Sequence, residues 1–159
     1  MAFNKEKEAK RVYKLVQEVC DGYKLKYKTN DEELSVEFYI AGDKMEVKHL
    51  VCVHKDLCLV YVLSDLPFKA DEGCTNEVAQ AANLINSRLM AGSMDYSPKS
   101  LRLCYRLTTS YEGMDIQKEA IAPLLLYTYS VVNKYNYPLQ KVATGAASVE
   151  DFQEMIGGN

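Results

Sequence analysis

Tryptophan is absent from this chain of 159 residues, histidine occurs only twice, and no two cysteines form a C-x-x-C pair. Five scattered cysteines are an odd number, which argues against both a disulfide framework and a zinc ribbon. The apolar runs are far shorter than the roughly 18 residues that a membrane-spanning helix needs, and the first residues lack the apolar run of a signal peptide. We therefore expect reduced thiols, no metal site, no membrane contact and a cytoplasmic location.

Sequence patterns of catalytic sites are also missing. There is no G-x-S-x-G nucleophile motif, no Walker loop and no G-x-G-x-x-G, and the glycines are dispersed at turns. His49 and His54 have an odd separation, so they lie on opposite faces of a strand and cannot share a metal or a proton relay. We predict that the protein is not an enzyme, has no cofactor and holds His49 as a hydrogen-bonded core residue.

The charge balance does not indicate a polyanionic partner. Nineteen basic residues stand against 22 acidic ones, which gives a net charge of −3. Because nucleic-acid-binding domains are usually strongly basic, we expect neither nucleic acid nor an anionic membrane as a partner. Charges on the first helix, such as Glu6 and Lys10 at i,i+4, are typical of a solvated helix face.

Regular hydrophobic periodicity is the strongest positive signal in the first half of the chain. Asn4 is predicted to cap a helix that ends at Asp21 and Gly22. Its apolar stripe consists of Val12, Leu15, Val16 and Val19. Period-two alternation then predicts a short strand near 25–27 and longer strands over 34–40, 45–53 and 57–63. The last of these is apolar on both faces, which predicts a central strand with helices on one side and a partner or further protein on the other.

The second half of the chain reads as helix, hairpin and helix. A second helix over about 74–91 has Gly92 at the position of a C-terminal cap, and a hairpin follows over 94–108. Asp115 is predicted to cap a third helix that runs to Tyr135, with Pro123 marking a kink or the true start. The fold class is therefore α+β, with the order α-β-β-β-β-α-β-β-α in a single domain over 1–159. The segment 141–159 is predicted to be a loosely docked tail.

Tyrosine is the over-represented aromatic residue, with 12 copies beside four phenylalanines. Tyrosine offers a broad apolar ring with a polar tip and is enriched at interfaces. Four tyrosines cluster near the third helix, namely Tyr127, Tyr129, Tyr135 and Tyr137. The sequence leaves two interpretations open, a binding surface and a tyrosine-rich rim of the core.

The stretch 78–145 resembles the YbjN-like family, bacterial proteins with the type III secretion chaperone-like fold. The resemblance rests on Asn83-Leu84-Ile85-Asn86, on Gly92 after the helix, on the strand LRLCYR at 101–106, and on a last amphipathic helix before a glycine. It implies an antiparallel sheet flanked by helices, often as a homodimer. It also implies a regulatory or chaperone-like binding role, labelled in that family as sensory transduction regulation.

Our leading hypothesis is a non-enzymatic cytoplasmic adaptor, chaperone-like or regulatory, that forms a homodimer or binds another polypeptide. The candidate interface residues lie on the second helix and the hairpin, and they are Ile85, Arg88, Leu89, Arg102, Tyr105 and Arg106. The alternative is a small-molecule sensor with a pocket between sheet and helices. That pocket would be lined by Tyr61, Tyr105 and Tyr127, with Arg106 orienting the ligand.

Overall fold

A computed structural model describes residues 4–157 as a six-stranded sheet covered on one face by four helices. The helices are α1 (Lys5–Gly22), α2 (Thr75–Asn86), α3 (Lys118–Ala143) and α4 (Val149–Met155), with a 3-10 turn at Glu72–Cys74. The strands are β1 (Tyr27–Asn30), β2 (Ser35–Ala41), β3 (Glu46–His54), β4 (Leu59–Lys69), β5 (Ser93–Ser97) and β6 (Arg102–Ser110). Neighbouring strands in the order β1-β2-β3-β4-β6-β5 are all antiparallel. The predicted α+β class and the order of the elements up to α3 are confirmed, and α4 is a further helix that the predicted order does not contain.

Alternation along the strands places all the helices on the same face of the sheet. On β3, Val47, His49, Val51 and Val53 are buried, while the residues between them remain partly exposed. The buried set packs against α1 in one apolar cluster and against α2, α3 and α4 in another. No helix within residues 4–157 covers the opposite side, which we call the open face.

The helix α3 connects the two apolar clusters. Ile121 and Leu125 in its first half pack with α1, whereas Val132 and Leu139 in its second half pack with α2 and α4. A long helix that contributes to both clusters makes them one continuous support for the sheet.

Three helix boundaries differ from the sequence prediction. α2 ends at Asn86 rather than near 91, and α3 begins at Lys118 with Gln117, not Asp115, at its N-cap. Pro123 lies inside α3, which continues past the predicted end to Ala143. A proline removes one helical hydrogen bond, and here the buried stripe of α3 compensates for that loss.

The last part of the described chain packs on α2 and α3. Ser148 and Asp151 form a capping box at the start of α4. The Phe152 side chain has an exposed fraction of 0% and lies in the cluster with α2 and α3. The Arg88 guanidinium on the turn after α2 donates hydrogen bonds to the carbonyl oxygens of Ile156 and Gly157, at 3.1 and 2.8 Å.

The C-terminal end of α1 supports a stability prediction. Lys24 has a φ of 55°. The N–H of Lys24 donates to the Asp21 carbonyl and the N–H of Leu25 to the Cys20 carbonyl, which is the Schellman arrangement that favours glycine. We expect Lys24→Gly to raise the free energy of unfolding by about 0.5 kcal/mol, because relief of the left-handed strain exceeds the added backbone entropy. Urea denaturation measures the change.

The matched control is Lys14→Gly on the exposed face of α1. Glycine inside a helix lowers stability by about 1 kcal/mol, so the same substitution should have the opposite sign there. A loss of stability in both variants would contradict the strain argument for Lys24.

Candidate functional site

The two faces of β6 separate the residues that sequence analysis grouped together. Leu103, Tyr105 and Leu107 are buried beneath the helices, whereas Arg102 and Arg106 are exposed on the open face. Arg106 is also bound in place, because its Nε donates to Asp95 at 2.9 Å. The alternation predicted for this strand is therefore present.

The candidate interface set is divided by this geometry. Ile85 and Tyr105 both have an exposed fraction of 0%, so they are core residues and present no surface in this structure. The sequence pattern of an apolar helix or strand face is the same whether that face packs in the core or against a partner protein. Arg88 binds C-terminal carbonyl groups on the helix side, so it does not converge with Arg102 and Arg106. Leu89 is partly buried against the helical cluster.

The predicted tyrosine pocket is not assembled. Tyr105 and Tyr127 lie on the helix side of the sheet, where Tyr127 packs against the cluster that contains Tyr105. Tyr61 pairs across the sheet with Cys52 and Thr108 on the open face. Since a sheet separates Tyr61 from the other two rings, they cannot line one cavity.

The tyrosines near α3 divide between core and surface. Tyr135 has an exposed fraction of 4%, whereas Tyr137 is 38% exposed. The ammonium groups of Lys44 and Lys141 lie 5.6 and 5.1 Å from the centre of the Tyr137 ring. Tyr135 therefore belongs to the core and Tyr137 to the surface, and the binding-surface interpretation stays a prediction for Tyr137.

A groove runs between α2 and the edge strand β5. It encloses about 500 Å³ and is open to solvent. Its residues come from the outer face of α2 and from β5 with its turn, and they are Ala79, Ala82, Asn83, Asn86, Met94, Asp95, Tyr96 and Pro98. Because alanine side chains are short, Ala79 and Ala82 leave room along the helix for an incoming chain.

The edge strand β5 presents backbone groups to this groove. The Asn86 side chain occupies the outer side of β5 at Met94, where its Oδ1 accepts from the backbone N–H at 2.7 Å and its Nδ2 donates to the carbonyl at 3.1 Å. In an antiparallel edge strand every second residue points its backbone N–H and C=O away from the paired strand. Met94 is one such residue of β5, so the next is Tyr96. Within the described residues no strand pairs with this edge. Edge strands of this kind are templates for pairing with another chain.

Asn86 therefore has a role that its position at a helix end does not reveal. The sequence predicts that Asn83 and Asn86 hydrogen-bond backbone near the end of their own helix. Asn86 instead bonds the backbone of another element, and the Asn83 side chain forms no hydrogen bond within residues 4–157. A side-chain amide has the same donor and acceptor as a peptide group, so Asn86 substitutes for one residue of a neighbouring strand.

We predict that Asn86→Ala lowers the free energy of unfolding by about 1–2 kcal/mol. The variant loses two hydrogen bonds, and the Met94 backbone groups keep only partial access to water. Asn83→Ala is the control on the same helix, and we expect no loss, since alanine is the better helix former by up to about 0.7 kcal/mol. Thermal unfolding of both variants tests this, and equal losses would contradict the role given to Asn86.

The open face carries apolar residues where a solvated sheet face normally alternates to polar ones. Leu50, Cys52, Tyr61 and Leu63 are partly exposed there. The prediction that β4 is apolar on both faces is confirmed, and its helix-free face is the open face. Burial raises the pKa of the Cys52 thiol, with a smaller contribution from the Glu33 charge. A protonated thiol is a poor nucleophile, so Cys52 is not activated for chemistry.

Other candidates for chemistry remain isolated. His49 is 2% exposed, and its Nδ1 lies 2.7 Å from the Ser64 hydroxyl, whereas His54 is exposed at the end of β3. Within residues 4–157 no three His, Cys, Asp or Glu side chains are grouped closely enough to hold a metal ion. Among the same residues, no helix has the length and apolar character needed to cross a membrane.

Comparison with known proteins gives likenesses in structure only. No family model and no curated protein matches the sequence. A chain of the crystal structure of the ExsC–ExsE complex aligns at a TM-score of 0.60 and 12% identity, over 82% of this chain and 95% of that chain. YbjN from E. coli, a proposed transcription regulator, aligns at a TM-score of 0.56 and 10% identity, over 79% and 91% of the two chains. The chain has the type III secretion chaperone-like fold.

The YbjN-like resemblance is confirmed at the level of the fold. At 10% and 12% identity the likeness extends to the fold and not to individual residues. Function must therefore be argued from the surfaces of this chain.

Proposed function

We propose that this protein is a non-enzymatic adaptor that binds an extended segment of another polypeptide at the outer edge of β5, beside α2. The single observation that carries the proposal is the uncovered edge at Tyr96 facing a groove of about 500 Å³. An added strand would hydrogen-bond to the Tyr96 backbone and place side chains over Ala79 and Ala82. Backbone pairing supplies affinity in this mode, while the groove selects the side chains.

The comparison supports a binding role in a general way. One of the similar structures is a complex of two proteins, ExsC and ExsE. The other is described as a proposed transcription regulator. Chaperone-like binding and regulation of a sensory pathway are both compatible with an adaptor that acts through protein contacts in the cytoplasm.

The test uses twelve-residue peptides selected from a random display library on the immobilised protein. Ala79→Lys places a long side chain in the groove, and Gln80→Lys adds the same charge at a neighbouring exposed position of α2 outside it. We expect the selected peptides to lose at least roughly tenfold in affinity on the first variant and little on the second. Bound peptide should also slow hydrogen exchange of the Tyr96 amide. Equal affinity for both variants, or no protection of Tyr96, would exclude the edge as the binding site.

The adaptor is also proposed to be a homodimer. Leu126 and Tyr137, both on α3, are 53% and 38% exposed, which leaves apolar surface for a second copy. Light scattering coupled to size exclusion should give twice the protomer mass of 18.0 kDa at high concentration, with dissociation on dilution. A protomer mass at every concentration contradicts the homodimer without affecting the β5 proposal.

A further inference from the structure

A second concavity lies on the open face, on the other side of the sheet from the α2 groove. It encloses about 580 Å³, and we call it the open-face trench. Its floor consists of two directly opposed pairs on β3 and β4, Leu50 with Leu63 and Cys52 with Tyr61. Leu34, from the turn before β2, also lines it. The floor is therefore a compact apolar block on two neighbouring strands.

Ion-paired residues border this block on both sides, because Glu37 is paired with Leu50 and Arg106 with Leu63 in the sheet. Glu37 on β2 forms an ion pair with Lys48 at 3.0 Å, and Asp95 on β5 forms one with Arg106 at 2.9 Å. The apolar block therefore lies between ion pairs, and Tyr39, Leu59 and Cys104 add further apolar surface to the same face. An apolar patch with a polar rim is typical of a binding surface.

The turn between β1 and β2 gives the trench a negative wall. Asp31, Glu32 and Glu33 stand in sequence along it, and all three are exposed. Within the described residues Glu32 and Glu33 form no ion pair, whereas Glu6 at the trench margin is paired with Lys10 at 2.8 Å. The trench lining carries five carboxylates (Glu6, Asp31, Glu32, Glu33 and Asp56) against two ammonium groups (Lys10 and Lys55), so its net field is negative and an incoming cation would neutralise it.

The geometry points to the open-face trench as a docking site for a polypeptide segment in which apolar side chains are flanked by lysine or arginine. The apolar side chains of the segment cover Leu50 and Leu63, and its cations lie along Glu32 and Glu33. Charge complementarity selects this occupant over an acidic segment, which the same wall repels. The site is separate from the β5 edge, so each can fail without the other.

The test measures binding of two fluorescein-labelled heptapeptides by anisotropy. One carries two leucines flanked by lysines, and the other has glutamate in place of every lysine. The variant Glu32→Gln/Glu33→Gln removes two charges from the wall. The variant Glu18→Gln/Glu154→Gln removes the same charge from exposed positions on α1 and α4, away from the trench. All four substitutions are at exposed positions, so the variants should fold, and circular dichroism checks this.

We expect the lysine peptide to bind the unmodified protein and the glutamate peptide to bind far more weakly. The wall variant should weaken the lysine peptide by roughly three- to tenfold at low salt, and the difference should shrink as salt is raised. The control variant should change the affinity little. Leu63→Thr should also weaken binding, because it reduces the apolar floor.

Three results would overturn the docking site. The first is equal affinity for the two peptides, or no binding of the lysine peptide. The second is unchanged affinity in the wall variant. The third is an equal loss in the wall and control variants, which would mean that only the net charge of the protein matters.

Discussion

Gly92→Ala should destabilise the protein by about 3 kcal/mol, from two additive causes. Gly92 has a φ of +73°, a left-handed conformation that costs an alanine roughly 1–2 kcal/mol. An added Cβ would also lie 2.7 Å from the Arg106 carbonyl oxygen and would overlap the Tyr105 hydroxyl. That hydroxyl donates to the Ala91 carbonyl at 3.0 Å and belongs to a fully buried side chain, so it has no free space to enter. Overpacking of this kind costs roughly 1–3 kcal/mol more.

The measurement is the urea midpoint, with Gly113→Ala as the matched control. Gly113 has a φ of +68°, and an added Cβ there meets no atom within 4 Å. It therefore experiences the backbone strain alone, and we expect a loss of about 1 kcal/mol. The double variant Gly92→Ala/Tyr105→Phe removes the overlap with the hydroxyl, whereas the ring Cζ at 2.6 Å and the Arg106 carbonyl oxygen at 2.7 Å stay close to the added Cβ, so the two substitutions should combine to somewhat less than their sum. Similar losses for Gly92→Ala and Gly113→Ala would show that the contact with Tyr105 is unimportant.

The same region shows what sequence patterns can and cannot predict. Positive φ at Gly92 was predictable, because glycine after an apolar helical run favours it. Its proposed role as the helix cap is wrong, since α2 ends at Asn86 and the glycine instead allows the approach of Tyr105 from β6. The contact joins Gly92, just before β5, with Tyr105 on the neighbouring strand β6. The sequence pattern of a single segment does not show which residues of two strands lie side by side.

The strand faces were predictable for a physical reason. A strand with one buried face must alternate, so Leu103, Tyr105 and Leu107 could be assigned to one side without knowledge of the fold. Which apolar residues meet a core and which meet a partner could not be assigned in this way. Ile85 lies in the core and Leu63 on the open face, although both are aliphatic residues in amphipathic or apolar segments.

The assembly of the two candidate sites depends on strand register more strongly than the assignment of strand faces does. The acidic run at 31–33 is plain in the sequence, and on its own it is typical of a solvated turn. Only the pairing of β2 with β3 and of β3 with β4 brings this turn beside Leu50 and Leu63. Likewise, the bonding of Asn86 to Met94 requires the turn after α2 to return β5 alongside the helix.

Acidification should remove about 3 kcal/mol of stability through His49, the second large effect that we predict. Burial lowers the pKa of His49 from 6.5 to about 4. Its Nδ1 is bonded to Ser64, and Nε2 has no hydrogen-bond partner within residues 4–157. A second proton would therefore place a charge in a buried site beside the stacked Phe38 ring, whose centre is 5.4 Å from that of the His49 ring, with Nε2 still unpartnered.

The direction with pH follows from the unfolded chain. There His49 binds a proton at its ordinary pKa, so between pH 6.5 and about 4 the unfolded state holds more protons than the folded state. Above pH 6.5 the titration of His49 does not reduce the free energy of unfolding. The free energy of unfolding falls as the pH drops below 6.5, and the full loss due to His49 is reached below about pH 4. A pKa difference of this size corresponds to about 3 kcal/mol at roughly 1.4 kcal/mol per pH unit.

The double variant His49→Phe/Ser64→Ala isolates this effect from other acid titrations. It replaces both partners of the buried hydrogen bond by apolar groups, which costs little at neutral pH, and it leaves no titratable group at the site. Exposed carboxylates are unchanged, so their effect on stability is common to both proteins. We expect urea midpoints of the two proteins to diverge as the pH falls from 6.5 to 4, with the double variant losing less. Parallel curves over that range would mean that His49 becomes protonated in the folded state as readily as in the unfolded chain, and that its burial does not exclude the charge.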